Sequence, residues 1–185
     1  TLDPNPHAYA LIDQHADHWH FDTALGWVKS RDGAANSVGG GHAHIGAVIY
    51  KGTNWPSQFC DRLYTFNMHG LRANQEILER TGSGYVGKHG EDFLFSKDTW
   101  FRGLDLSSGP DGAVFAIDWS DTGECHERNG IHRHSGRIFK IQYGDPSQTE
   151  PIHLNRLNAS ELVELLKHPN HWQASMAQRE LTDRS

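Results

Sequence analysis

The chain has 185 residues, 36% hydrophobic and 22% charged, so it can bury one ordinary core while a mean hydropathy of -0.66 keeps it fairly polar. A formal net charge of -6 with histidines neutral argues against a nucleic-acid binder, whose phosphate contacts need a basic face. No stretch approaches the ~20 apolar residues of a membrane span, and 19 glycines with six tryptophans suit turn-rich β structure better than a helical bundle.

Residues 1–38 lack clean periodicity. Asp3-Pro4-Asn5-Pro6 is turn or linker chemistry, and Trp19, Phe21, Leu25 and Trp27 hint at one or two strands whose aromatics pack on a sheet. Gly39-Gly40-Gly41-His42-Ala43-His44 then leads into a strand, Ile45–Tyr50, and Arg62–Met68 alternates as a second. Arg72–Arg80 has helical propensity, yet its place within a run of short strands predicts β. Tyr85–Gly87 and Phe93–Phe95 close the group.

Trp100–Ile141 is the most regular stretch. Leu104, Leu106 and Val114, Ala116 give the period of two expected of half-buried strands. Gly109-Pro110-Asp111-Gly112 lies between them as turn chemistry, and Arg137–Ile141 forms a third strand. Strand, turn, strand ending in Asp-Trp, loop and strand fill roughly the 40 residues of one propeller blade. Residues 45–97 read as a second blade with a longer insertion.

After Gly144-Asp145-Pro146 the character changes. Asn158 with Glu161 three residues on is a capping box, and Leu157 with Leu162 a hydrophobic staple, so a helix is predicted from Ala159 to Lys167, stopping before Pro169. Asn170 with Gln173 repeats the cap, and Ala174, Ala177 and Leu181 continue a helical stripe. One such pair cannot bury its own apolar face, so the chain is expected to continue past residue 185. The prediction is a mainly β chain: a partial β-propeller of about three to four blades over 1–150, then a helical hairpin over 151–185 that starts a HEAT-like repeat region.

Two cysteines, Cys60 and Cys125, allow one disulfide but do not require it. No C-x-x-C-H occurs, so this chain carries no haem site. The chain opens at Thr1, without methionine, and any targeting segment is expected to lie outside it. The absence of G-x-S-x-G, H-E-x-x-H, Walker A and G-x-G-x-x-G motifs argues against a serine hydrolase or a nicotinamide enzyme.

The segments GGGHAHIGAVIYKG, RLYTFNMHG, GSGYVGKHGEDFLFS, FRGLDLSSGPDGAVFAIDWSDTGECH and SGRIFKI together resemble a known family. It is the propeller region of planctomycete-type haem-binding proteins labelled as membrane-bound dehydrogenases, whose propeller is similar to that of soluble quinoprotein glucose and sorbosone dehydrogenases. The resemblance runs from about Asn5 to Leu181. It implies a periplasmic or other extracytoplasmic protein in which a propeller, helical repeats and a separate cytochrome c domain cooperate to oxidise a sugar or alcohol. Pyrroloquinoline quinone and calcium are the cofactors it implies.

Three constellations could carry chemistry. His42 and His44, two apart on a strand, project from one face and could reach one ion or one substrate oxygen; alternatively they bond neighbouring blades. Within the resemblance, either would serve as general base on the substrate hydroxyl. Asp118, Asp121 and His126 leave a strand into a glycine loop and could ligate calcium, or cap the loop's own N–H groups. Arg72 and Arg102 could hold an anionic cofactor, such as a quinone carboxylate, or bond loop carbonyls and a sheet-edge carboxylate. His69 and His89 sit beside glycines in turns and read as bystanders, and His132 and His134 as solvated. The rival to an enzyme is a non-catalytic scaffold that binds glycans or a protein partner and spaces the haem domain.

Overall fold

The computed structural model describes residues 44–68, 70–121, 132–145 and 152–184. His42, His69, Cys125, His126 and the segment before residue 44 lie outside these ranges. Two antiparallel sheets hold the described β structure. The first joins β1 (His44–Ile49), β2 (Leu63–Asn67), β3 (Arg72–Thr81) and β4 (Gly84–His89) in that order, with β5 (Leu94–Phe95) also on β3. The second joins β6 (Gly103–Ser108), β7 (Val114–Asp118) and β8 (Arg137–Ile141) in chain order.

Local chemistry explains the connections. Gly82 and Ser83 form a two-residue turn with Thr81 opposite Gly84, and only the first central residue has positive φ (+60°), the type II′ pattern that follows strand twist. Arg72–Arg80 is therefore strand, as its neighbourhood predicts, because both edges of β3 are paired. On the edge away from β2, β4 and β5 form one interrupted lane. The N–H groups of Gly90, Phe93 and Ser96 donate to Gln75 O, Ala73 O and Leu71 O at 2.7, 2.9 and 2.8 Å, carrying the chain past the break.

One face of the first sheet supplies Tyr64, Phe66 and Ala73 to an aromatic core shared with Phe101, Leu106, Val114 and Ala116 of the second. Trp55 knits the two together. Its ring stacks on Tyr50 and on Phe93, both at 4.3 Å between centroids, and its indole N–H donates to Ile141 O at 3.2 Å. The fully buried Tyr50 hydroxyl donates to Gly112 O (2.7 Å) and accepts from the N–H groups of Asn54 and Trp55. That hydroxyl thus fastens the loop after β1 to the turn between β6 and β7.

The first strands of the two sheets meet along bare backbone. A Cβ on Gly46, where φ is +65° at a bulge in β1, would lie 2.8 Å from both Asp105 Cα and Leu104 O. A Cβ on Gly103 would lie 2.5 Å from the Phe66 ring. Both glycines are required by close approach.

At the C-terminal end, the capping box is present as predicted: Asn158 Oδ1 accepts from Glu161 N, and Glu161 Oε2 from Asn158 N. Helix α1 runs Ala159–Leu165, two residues shorter than expected, since Leu166 N is shared between Leu162 O and Val163 O and the next two N–H groups turn to carbonyls three back. Helix α2 runs His171–Asp183. Asn170 caps α2 by accepting from Trp172 N, while Gln173 makes no reciprocal bond but donates to Pro110 O at 2.7 Å. Asn170 Nδ2 donates to Gly109 O and Pro110 O at 3.1 and 3.0 Å. The helical pair is therefore docked on the turn of the second sheet. The protein is mainly β, with antiparallel sheets and two C-terminal helices. Among the described residues, no helix is long and apolar enough to cross a membrane.

Candidate functional site

The face of the first sheet opposite the core is polar yet buried. Register places His44, Asn67, Arg72 and Phe95 in one row across β1, β2, β3 and β5, and directly opposed residues share a face. Two and four residues on from Arg72, Asn74 and Glu76 extend that face along β3. Asn67, Arg72, Asn74 and Glu76 are all buried, where hydrophobic residues would be the default.

The loop after β4 supplies the balancing charges. Asp92 accepts from Arg72 Nη1 at 2.9 Å and from Asn74 Nδ2 at 2.6 Å. His89 spans two carboxylates, with Nε2 3.2 Å from Asp92 Oδ1 and Nδ1 3.2 Å from Glu76 Oε1. Hydrogen bonds to Asp92 first, and to Glu76 second, outweigh burial and raise its pKa from 6.5 to about 9. At neutral pH His89 is therefore an imidazolium donating through both nitrogens, and the cluster Arg72–Asp92–His89–Glu76 is neutral overall. Glu76 Oε2 is buried with no hydrogen-bond partner among the described residues.

His44 lies at the start of β1 in the Asn67–Arg72 row and is half-buried. Arg72 is committed to protein acceptors. Besides Asp92 it donates through Nε to Gly70 O at 3.2 Å and stacks on the Phe95 ring at 4.8 Å. Arg102, equally buried, donates from Nη1 to Thr99 O and Phe101 O, both at 2.8 Å.

Asp118 is the hub of a second ionic cluster, at the end of β7. Its Oδ1 accepts from the N–H groups of Arg102 (2.7 Å) and Ser120 (2.8 Å), and its Oδ2 from Arg137 Nε (2.7 Å), with Arg137 Nη2 at 2.6 Å. Arg137 also pairs with Asp98, whose carboxyl is held below the usual range by the Trp100 N–H and then by that guanidinium. Asp121 Oδ2 accepts from His132 N at 3.3 Å, and the His132 ring lies 4.4 Å from that of Trp100. Asp118 and Asp121 thus accept main-chain N–H groups; His126, the third residue of the predicted calcium set, lies outside the described residues, among which no trio of His, Cys, Asp or Glu able to hold a metal ion occurs. Asp118 has both carboxylate oxygens engaged by protein donors, and Arg72 and Arg102 each donate to protein acceptors. Cys60 is a free thiol, its pKa raised by burial.

Sequence reasoning missed His89, Asp92, Glu76 and Asn74. The available signal was the period-two polar pattern Arg72, Asn74, Glu76 on a strand lying between apolar ones.

The fold and this buried ionic face define a mainly β domain of antiparallel sheets. Residues 4–145 match the family described as Domain of unknown function (DUF7133), and the chain belongs to that family. No curated protein matches the chain at a significant level. Among solved structures it is similar to a Thermus thermophilus protein provisionally described as an oxidoreductase (glucose dehydrogenase). That likeness has 19% identity and a TM-score of 0.38, covering 55% of this chain and 26% of the other.

Proposed function

We propose that this chain is the propeller portion of a larger, extracytoplasmic dehydrogenase-like protein that oxidises a sugar or alcohol and passes electrons to a cytochrome c domain outside this chain. One observation carries the reading: β1 and β6, the first strands of successive antiparallel sheets, abut, with His44 at the start of β1 in line with Asn67 and Arg72. Blades of a propeller converge in this way on a central channel. His44, and His42 two residues before it, would face that channel and accept the proton of a substrate hydroxyl as hydride leaves its carbon. Arg72 would act at second hand, its Asp92 pair fixing the row beside the imidazole. A quinone, when bound, would supply the hydride acceptor.

A second reading is favoured by the internal engagement of Arg72, Arg102 and Asp118: a non-catalytic glycan- or protein-binding module that spaces the haem domain. Dye reduction by a panel of sugars and alcohols separates the two, using the full-length protein with pyrroloquinoline quinone and calcium. The enzyme reading expects turnover that needs the quinone and falls at least about 100-fold in His44→Ala, the low end for loss of a general base. Turnover unaffected by His44→Ala removes the histidine's role, and no turnover with any substrate leaves the scaffold.

A further inference from the structure

A concave site of about 400 Å³ lies between the turn of the second sheet and the helical pair, and it shares no residue with the His44–Arg72 row. Its size falls in the ~300–1,000 Å³ range of small-molecule sites. Gln173 lines it. This side chain belongs to a residue only 3% exposed, its Nε2 is committed to Pro110 O, and its Oε1 is buried with no hydrogen-bond partner among the described residues. A buried amide oxygen left without a donor is unfavourable, and a donor on a bound molecule would satisfy it.

The rest of the lining decides what that donor is. His168 Nδ1 accepts from Asn170 N at 3.0 Å, which leaves Nε2 as the ring nitrogen that can donate. Asn54 Oδ1 accepts from Tyr143 N at 2.7 Å, leaving the Asn54 NH₂ as a second donor. Acceptors alternate with these: Gln173 Oε1 and the Asp145 carboxylate. Asp111, also in the lining, is neutralised by its ion pair with Lys140. Tyr143 is 62% exposed, and its ring adds a flat apolar surface. A cation would meet two N–H donors here, and an anion the Asp145 carboxylate. Hydroxyl groups, which donate and accept at once, satisfy every partner, and a ring of C–H bonds can lie on the tyrosine.

We infer that this pocket binds a neutral polyhydroxylated ligand of monosaccharide size, held by Gln173, His168, Asn54 and Asp145 against the Tyr143 ring. The site is independent of the oxidation proposed above. The test is ligand-detected NMR and titration of the 185-residue chain with glucose, galactose, mannose and glycerol, using methylammonium and phosphate as charged controls. At least one sugar is expected to bind with a Kd of about 1 mM or tighter, some −4 kcal/mol, and to perturb the His168 and Tyr143 resonances. Tyr143→Ala, at an exposed position, should weaken binding about tenfold without changing the unfolding midpoint. Gln173→Leu should weaken it similarly, and because it also removes the bond to Pro110, its fold is checked by circular dichroism. The inference is overturned if no polyol perturbs these resonances at about 10 mM, ten times that Kd, if methylammonium or phosphate binds more tightly, or if Tyr143→Ala binds as well as the parent.

Discussion

Replacing His89 by glutamine tests the buried ionic cluster directly. In the unfolded chain His89 titrates near 6.5, and in the fold near 9. Because the folded value is the higher, the proton stabilises the fold fully below about pH 6.5, and that stabilisation is lost as pH rises through 9. The difference of about 2.5 pH units, at about 1.36 kcal/mol each, sets a ceiling of about 3 kcal/mol. Linkage distributes this as about 3 kcal/mol at pH 6, about 2 at pH 7.5 and about 0.2 at pH 9.5. Partial access of water to the cluster lowers the first figure to roughly 2 kcal/mol. Urea unfolding of parent and His89→Gln at these three pH values is the assay. With a slope of ~1–3 kcal/mol per molar, the parent's midpoint advantage at pH 6 should be about 1 M and should shrink with rising pH, whatever constant offset the substitution adds. The titration stops short of pH 10 because burial raises the pKa of Tyr50 and Tyr64, so unfolding gains from tyrosinate formation above that pH in both proteins. A midpoint difference that stays constant from pH 6 to 9.5 would refute the imidazolium assignment.

Asp118→Asn keeps the size but puts an NH₂ where one carboxylate oxygen meets a backbone N–H or the Arg137 fork. A loss of about 2–4 kcal/mol is expected, read as a lower thermal midpoint with faster amide exchange at Arg102 and Ser120; exchange unchanged at both amides would contradict the capping role. Asn170→Ala removes a helix cap worth about 1 kcal/mol and two bonds to the turn between β6 and β7. Helix ellipticity should then be lost at a lower urea concentration than near-ultraviolet aromatic signal, whereas in the parent the two transitions coincide.

Which parts of this structure the amino-acid order reveals follows from the range of the interactions involved. The capping box at Asn158 and Glu161 is legible because both partners lie within one turn. Strands β6 and β7 are legible because Leu106, Val114 and Ala116 alternate with exposed neighbours toward a single core. Arg72–Thr81 is harder, since its buried face carries Arg72, Asn74 and Glu76, and hydrophobic alternation cannot register charges buried against one another. His89 looks like a turn residue because Glu76 comes to it from the neighbouring strand, 13 residues back, although Asp92 lies only three residues on. Docking of α2 is illegible for the same reason: Asn170 reads as a cap from its neighbours, and nothing local announces that its amide also reaches Gly109, 61 residues away. The same limit applies to Asp118 and Arg102. Their residue types suit ligand binding, and only the three-dimensional arrangement reveals that their polar groups are already engaged.

The contact at Gly46 and Gly103 has a mechanical side. Most paired sheets are cushioned by interdigitating side chains that can change rotamer and absorb a shift. At these two points, beside the shared aromatic core, main chain presses on main chain at one glycine and on an aromatic ring at the other. A shift of one sheet past the other is therefore resisted first at Gly46 and Gly103, where no rotamer change of the glycine can relieve the contact.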